Sequence, residues 1–536
     1  GNVATGRGGG LFWNDRINFA SSLTFEDNDL LNNEAVEGGG CYFNGDWVDG
    51  GPISFNRNRV NGNVAWTDYG GCTFDDIDEG TRAFINDNQF NDNIAAGNYG
   101  GIHLGQIDGG VVVEFGNNEI VGNRAGISGT LFLGGHHGGM GVGPIGGGAV
   151  LDFGDNQVLS NTATLTGSYG GIGVLIEQGG QLLIDESTIA GNAAGDSFGG
   201  VTVEMTPTAW LEMNHNMIRA NTAGGEGGGV TMHGAGDSMY WLRRNQVISN
   251  SAGAKGGLWI EDGDGTLWGI TENNIIAGNQ GSGVHLVDAA LRSTNDTIAD
   301  NFEYGIMMTG TVTSTAYLSN TIIWGHTWSF TRTPILAYTD RFTMVATTSD
   351  IEGGWPGTGN FDADPLFVGG GDYHLTEASP CIDAGATVPP TVDFELDPRP
   401  IHAGYDVGAD EFAGALSERS GQATDAVGTP RATFAPDENV YATGTGFPGN
   451  ADVDVYVVPD ADWTDGMPIP GDVSGDGMNT LTADAAGNLG PALIWGAPLS
   501  LGAYDVIFDV NQNGSYDLGI DALDDAVLTG FQVRLS

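Results

Sequence analysis

NMIRANTAGGEGGGVTMHG (216–234) is followed one step later by NQVISNSAGAKGGLWIED (245–262), and the two are variations on one pattern. In each, an N-x-[VIL]-x-x-N box leads through a small turn into Gly-Gly and then into a run where apolar and polar residues alternate. Alternation at period two is a strand signal, whereas a helix brings apolar residues back at three and four. The box recurs over the first 310 residues. Its closing asparagine falls at Asn33, Asn63, Asn93, Asn123, Asn161, Asn192, Asn221, Asn250, Asn279 and Asn301, at spacings of 30, 30, 30, 38, 31, 29, 29, 29 and 22. Short, evenly spaced strands separated by Asn/Gly turns predict a right-handed parallel β-helix, in which each coil pairs with its neighbours roughly 4.8 Å away and apolar residues stack inside. An asparagine repeated at one coil position predicts a hydrogen-bonded ladder.

Composition fits an all-β chain. Glycine supplies 91 of 536 residues, about 17% against a usual ~7%, without a three-residue period and with 40% hydrophobic residues, which excludes both collagen and plain disorder. The charge balance, 17 basic against 68 acidic side chains, gives −51 and argues against nucleic acid or an anionic membrane as partner. No stretch approaches the ~20 apolar residues of a membrane helix. Lys255 is the only lysine.

Aligned on Gly-Gly, Cys41, Cys72, Ile102, Val201, Val230, Leu258, Val284 and Ile306 form one inward column, and Phe43, Phe74, Leu104, Val203, Met232, Ile260, Leu286 and Met308 a second. Cys41 and Cys72 thus fall on neighbouring rungs. Packing as free thiols is the expectation, with a disulfide geometrically open. The first residues copy the second half of a coil, so an upstream segment or another chain is expected to cover that end.

Residues 311–352 keep β-like runs but lose the period. Residues 362–412 then carry DPLF (364–367), DYHL (372–375), SPCIDAG (379–385), DPRP (397–400) and DVGADEF (406–412). This segment resembles the closing segment of secreted right-handed β-helix repeat proteins of bacteria and archaea, loosely over 1–412 and specifically over 362–412. The resemblance implies an extracellular or cell-surface location and no single activity, because such proteins include lyases, adhesins and surface proteins. The domain reading is therefore coils over 1–361, a closing segment over 362–412, a small polar linker over 413–430, and short alternating strands over 431–536 with the size and rhythm of an immunoglobulin-like β-sandwich.

Two loops carry oxygen ligands at calcium-loop spacing. DVNQNGSYDLGIDALDD (509–525) offers Asp509, Asn511, Asn513 and Asp517 with Gly514 at the turn; Ile520 stands where a bidentate glutamate belongs, leaving Asp521, Asp524 or Asp525 to substitute. DVSGDG (472–477) offers Asp472, Ser474 and Asp476. Calcium is the expected cofactor.

For catalysis, polyuronate-lyase or hydrolase signatures are absent, and a surface at −51 repels an acidic polymer unless calcium bridges it. Stacking offers one candidate: Glu177, Glu204, His233 and Glu261 at one position of successive coils, with Thr202, Thr231, Trp259 and His285 at nearby outward positions, and Arg243 and Arg244 in the intervening turns. The competing reading is a solvated polar ladder. His136 and His137 are expected in an exposed loop of the long coil. Trp259, Trp268, Trp324, Trp328 and Trp355 are the candidate sugar-stacking residues. The resulting expectation is an extracellular structural scaffold that self-associates, or contacts other surface proteins, in a calcium-stabilised filament or layer. The alternatives are a polysaccharide-binding adhesin or a polysaccharide lyase or hydrolase.

Overall fold

The computed structural model describes the chain except residues 15–21, 47–50, 78–81, 127–135, 166, 254, 264–266, 313, 328–334, 338–340, 378, 403, 415–419, 448–451, 462, 464–466, 475–478, 485–486, 511–513, 517–520, 525–529 and 535–536. It divides into two units, Gly1–Glu411 and Phe412–Ser536. Among the described residues the first unit is built on three parallel sheets of twelve strands each. The first sheet runs from Leu11–Trp13 to Ile335–Ala337, the second from Leu23–Glu26 to Phe342–Thr347, and the third from Asp29–Leu31 to Asp350–Ile351. A fourth, of seven two-residue strands, runs from Glu34–Ala35 to Thr222–Ala223.

The two inward columns hold in register: Cys41 pairs with Cys72, Cys72 with Ile102, Val201 with Val230, and Val230 with Leu258, while Phe43, Phe74 and Leu104 lie opposite one another on their own rungs. All are buried. The free-thiol expectation is corrected, since Cys41 and Cys72 are joined in a disulfide between adjacent coils, their Cα atoms 4.6 Å apart. Cys381 is a buried free thiol.

The asparagines do what the repeat asks. Asn93, fully buried, donates its side-chain NH2 to the Val60 carbonyl and to Asn123 Oδ1, at 2.7 and 3.0 Å. Its own Oδ1 accepts the Asn63 backbone N–H and side-chain NH2 at 2.9 and 3.0 Å. The same bonds continue to Asn301. The opening asparagine of the box builds a second ladder through Asn58, Asn88, Asn118 and Asn156, then Ser187, Asn216, Asn245 and Asn274. It ends on Asp296, whose buried carboxylate accepts from Asn274, Thr271 and Ser293. A turn that buries backbone amides must supply acceptors for them, and the two ladders are that supply.

The closing segment lies on the third sheet, where Tyr373, Phe394 and Ala409 pack on Ile275, Ala277 and Ala299. Its motif residues are structural. Arg399, buried, pairs with Glu411 at 2.9 Å and donates to the carbonyls of Gly408 and Ala409. Asp393 accepts the backbone N–H of Glu395, Asp397 and Glu411. Burial pulls the His374 imidazole down, but its hydrogen bonds to Asp372 and Glu395 outweigh that and hold it up at about 9.

In the second unit, residues 413–430, read as a linker, include the strand Ser420–Thr424, which pairs antiparallel with Val440–Thr445. The longest pairing is antiparallel, Asp452–Pro459 with Gly502–Asp509, over a core that includes Val453, Val455, Val457, Val506 and Phe508. Thr433–Phe434 pairs in parallel with Phe531–Val533.

Candidate functional site

Three of the four stacked polar residues are in register on the first sheet: Glu204 lies opposite His233, and His233 opposite Glu261. Glu177 is not part of the column, because Leu175 is the residue opposite Glu204. His233 Nε2 stands 3.8 Å from Glu261 Oε2, and the Tyr169 hydroxyl donates to Glu204 Oε1 at 3.4 Å. Burial lowers the His233 pKa against the pull of Glu261 and Glu204, which disfavours the charged imidazole and so weakens any ionic attraction across the contact.

The outward neighbours are not exposed, which corrects the expectation. Thr202, Thr231, Trp259 and His285 are buried, Trp259 to 2% exposure. What covers the outer face of this sheet is a stack of rings contributed by the residue before each Gly-Gly. Tyr69, Tyr99, His137, Tyr169 and Phe198 follow one another at centroid distances of 5.3, 4.9, 4.5 and 5.2 Å. Glycine beneath them is required: a Cβ at Gly141 would run into the Tyr99 ring and one at Gly173 into His137. His136 is buried, and His136–His137 forms a short strand with Ser168–Tyr169, so these histidines are wall rather than loop. Where the stack reaches Gly227 the ring is missing, and Lys255 there lies 3.2 Å over the Trp259 ring while pairing with Glu226 at 3.2 Å. Each ring's faces are taken up by its neighbours, so this stack offers a sugar edges rather than platforms.

Of the other tryptophans, Trp355 packs against the core, Trp324 is half-buried, and Trp328 lies outside the described residues. Trp268 is 39% exposed. It stands on the outer face of the second sheet with groups that sequence reasoning did not bring together. Ile270, Arg292 and Tyr317 occupy one position on three successive coils, and Trp268 stands two residues before Ile270 on the same face. The Arg292 guanidinium carbon is 5.8 Å from the Trp268 ring centre and 5.9 Å from that of Tyr317, itself 48% exposed. Together with Val345 and with Val388 and Pro389 of the closing segment they line a cleft of about 470 Å³, to which Thr294, Ser319 and Thr347 also contribute. On the other side of Pro389 a second cleft, of about 490 Å³, is lined by Asn214, Arg243, Arg244, Glu272, Asn273 and Leu396, among others. Arg243 stacks on Trp241 at 4.1 Å and pairs with Glu272 at 3.1 Å and Glu212 at 3.6 Å, while Arg244 donates to Asn214 Oδ1 at 2.9 Å.

In the second unit, Asp509 Oδ2 accepts the Gly514 N–H and Asp521 Oδ1 the Val510 N–H, both at 2.9 Å, so two buried carboxylates serve one loop. Asp472 accepts the backbone N–H groups of Val457 and Ser474 and the Ser474 hydroxyl. Asn511, Asn513, Asp517, Asp525 and Asp476 lie outside the described residues. Among those described, no group of three or more His, Cys, Asp or Glu side chains is placed to hold a metal ion, and no helix is long and apolar enough to cross a membrane.

The family model for a right-handed β-helix region matches residues 145–322, and the first unit is accordingly a right-handed parallel β-solenoid. No curated protein matches the sequence. The fold is compatible with structural and with polysaccharide-related roles.

Proposed function

We propose that this protein is an extracellular β-solenoid scaffold that holds a polysaccharide along the outer face of its second sheet. The observation that supports this reading is the exposed pair Trp268 and Tyr317 on either side of Arg292, set in a cleft that Thr294, Ser319 and Thr347 also line. Tyr317 lies two coils beyond Ile270, roughly 10 Å along the solenoid axis. Rings at that separation suit alternate sugars of an extended chain lying across the rungs, and a solenoid of ladder-bonded coils keeps the separation fixed without cost at binding. Expected result: Trp268→Ala and Tyr317→Ala each weaken retention of the protein in affinity gels containing soluble polysaccharides by about 2- to 10-fold, without shifting its melting temperature. Wild-type protein that migrates unretarded through every gel of a panel of neutral, uronate and sulfated polysaccharides overturns the reading.

Self-association into a filament or layer, and calcium in the loops at Asp509/Asp521 and Asp472/Ser474, belong to the same proposal. Asp509 and Asp521 suit a hard cation in kind, being carboxylates on one loop. Millimolar calcium is expected to raise the melting temperature of the full chain and a chelator to reverse it. An unchanged melting curve in both assigns these carboxylates to the backbone amides they already accept.

A further inference from the structure

We infer, building on the polysaccharide reading, that the two clefts flanking Pro389 select an anionic glycan, one bearing carboxylates or sulfates. In this chain acidic side chains outnumber basic ones four to one, 68 to 17. The charged side chains lining the two clefts reverse that ratio: Arg243, Arg244 and Arg292 against Glu272 alone. Glu272 is shared between the clefts and is engaged by Arg243. Arg244 and Arg292 make no ion pair among the described residues. Arg244 is braced by Asn214, and Arg292 lies between two exposed rings. Several arginines elsewhere are matched, Arg57 by Glu26 and Asp27, Arg82 by Glu114, Arg399 by Glu411, while Arg124, Arg219 and Arg534, which also make no ion pair among the described residues, line neither cleft. In a chain this acidic, two guanidiniums left without carboxylates and placed on adjoining clefts are poised for an anion supplied by a ligand.

The net charge of −51 does not forbid this. At physiological salt, charges farther than about 8 Å are largely screened, so a polyanion at the cleft responds to the guanidiniums it touches more than to the distant acidic faces. A guanidinium is suited to carboxylate and sulfate alike through paired N–H donors, and stacking on a ring holds its plane ready. Arg292 would take the anionic group of the sugar stacked at Trp268 or Tyr317. Arg244, in the turn directly after the strand Met239–Arg243 two coils earlier, would take one on the part of the chain that passes Pro389.

The test compares matched polymers in affinity electrophoresis and calorimetry: alginate against its carboxyl-reduced form, and dextran sulfate against dextran. The expected result is binding of the charged member at least about tenfold tighter than its neutral counterpart, weakened by added salt. Arg292→Gln and Arg244→Gln should each lower it by about tenfold or more at unchanged melting temperature. Alginate bound and dextran sulfate not bound identifies the anion as carboxylate, and the converse as sulfate. Equal binding of charged and neutral members, still lost in Trp268→Ala, overturns the anionic selection and leaves the polysaccharide reading standing. Charged polymers bound equally by wild type and both arginine variants overturn the assignment to these clefts. Binding of none overturns both readings.

Discussion

Asn93→Ala lowers the stability of the solenoid by about 4 kcal/mol or more. The side chain is fully buried and takes part in four hydrogen bonds, two donated and two accepted. Truncation strands the Asn63 backbone amide in a place water does not reach, at on the order of 1–3 kcal/mol, and takes one hydrogen bond each from the Asn63 side-chain NH2, which keeps the Leu30 carbonyl, from the Val60 carbonyl, and from Asn123 Oδ1, which keeps the Asn93 backbone N–H, at about 1 kcal/mol apiece. The check is the urea midpoint, read beside Gln181→Ala, an exposed strand residue expected to stay within about 0.5 kcal/mol of wild type. Amide exchange at Asn63 should quicken in the same variant. A midpoint shift no larger than that of the control would mean the ladder is ornamental.

Asp296→Asn works in the opposite direction, raising stability at pH 8 by about 3 kcal/mol and changing it little at pH 4. Asp296 takes the rung after Asn274 and puts a carboxylate where earlier coils, that of Ser187 apart, have an amide. Burial raises its pKa to about 6 despite the donors Ser293, Thr271 and Asn274. A folded-state pKa raised above the unfolded value of about 3.9 means that protons favour the folded chain: the contribution is complete below about pH 4 and is lost as pH rises through about 6. The amide does not titrate, so the variant's unfolding free energy should fall less steeply from pH 4 to pH 8. The slope that remains belongs to the other buried carboxylates of this region, Asp350 and Asp393, which burial pushes to about 7, and Asp410, to about 6. Equal slopes in wild type and variant would sink the assignment to Asp296.

The solenoid was legible because its two determinants are local. Gly-Gly fixes where each strand of the first sheet begins, and the asparagine box fixes the turn, so the inward columns could be aligned without any long-range information. Glu177 was misplaced because it lies two residues past the aligned position; the coil before it carries a bulge between Val142 and Pro144. Trp259 and His285 show a different limit. Alternation tells which residues point away from the solenoid interior, not which reach water, and here a roof of rings and Lys255 separates the two. The second-sheet cleft was beyond sequence reasoning for a topological reason. Its aromatic and arginine side chains come from coils at 268–317, but its wall, Val388 and Pro389, comes from the closing segment some seventy residues later. The disulfide was only half legible: adjacent rungs placed the cysteines together, but nothing in the spacing decided between thiol and bond.

One detail of the ladder bears on how such a chain can evolve. From Asn123 to Asn161 the polypeptide takes 38 residues instead of 30, yet the side-chain bond between them is 2.9 Å, against 3.0 Å for Asn93 to Asn123. The surplus falls between Ala125 and His136, after the asparagine corner and before the next strand of the first sheet, and the pairing on either side resumes in step. Insertions at that corner are therefore silent to the rest of the rod. A lineage built on this plan can lengthen or shorten the chain between rungs as an independent character, while the buried asparagines keep the rungs in step, as they also do across the 22 residues from Asn279 to Asn301.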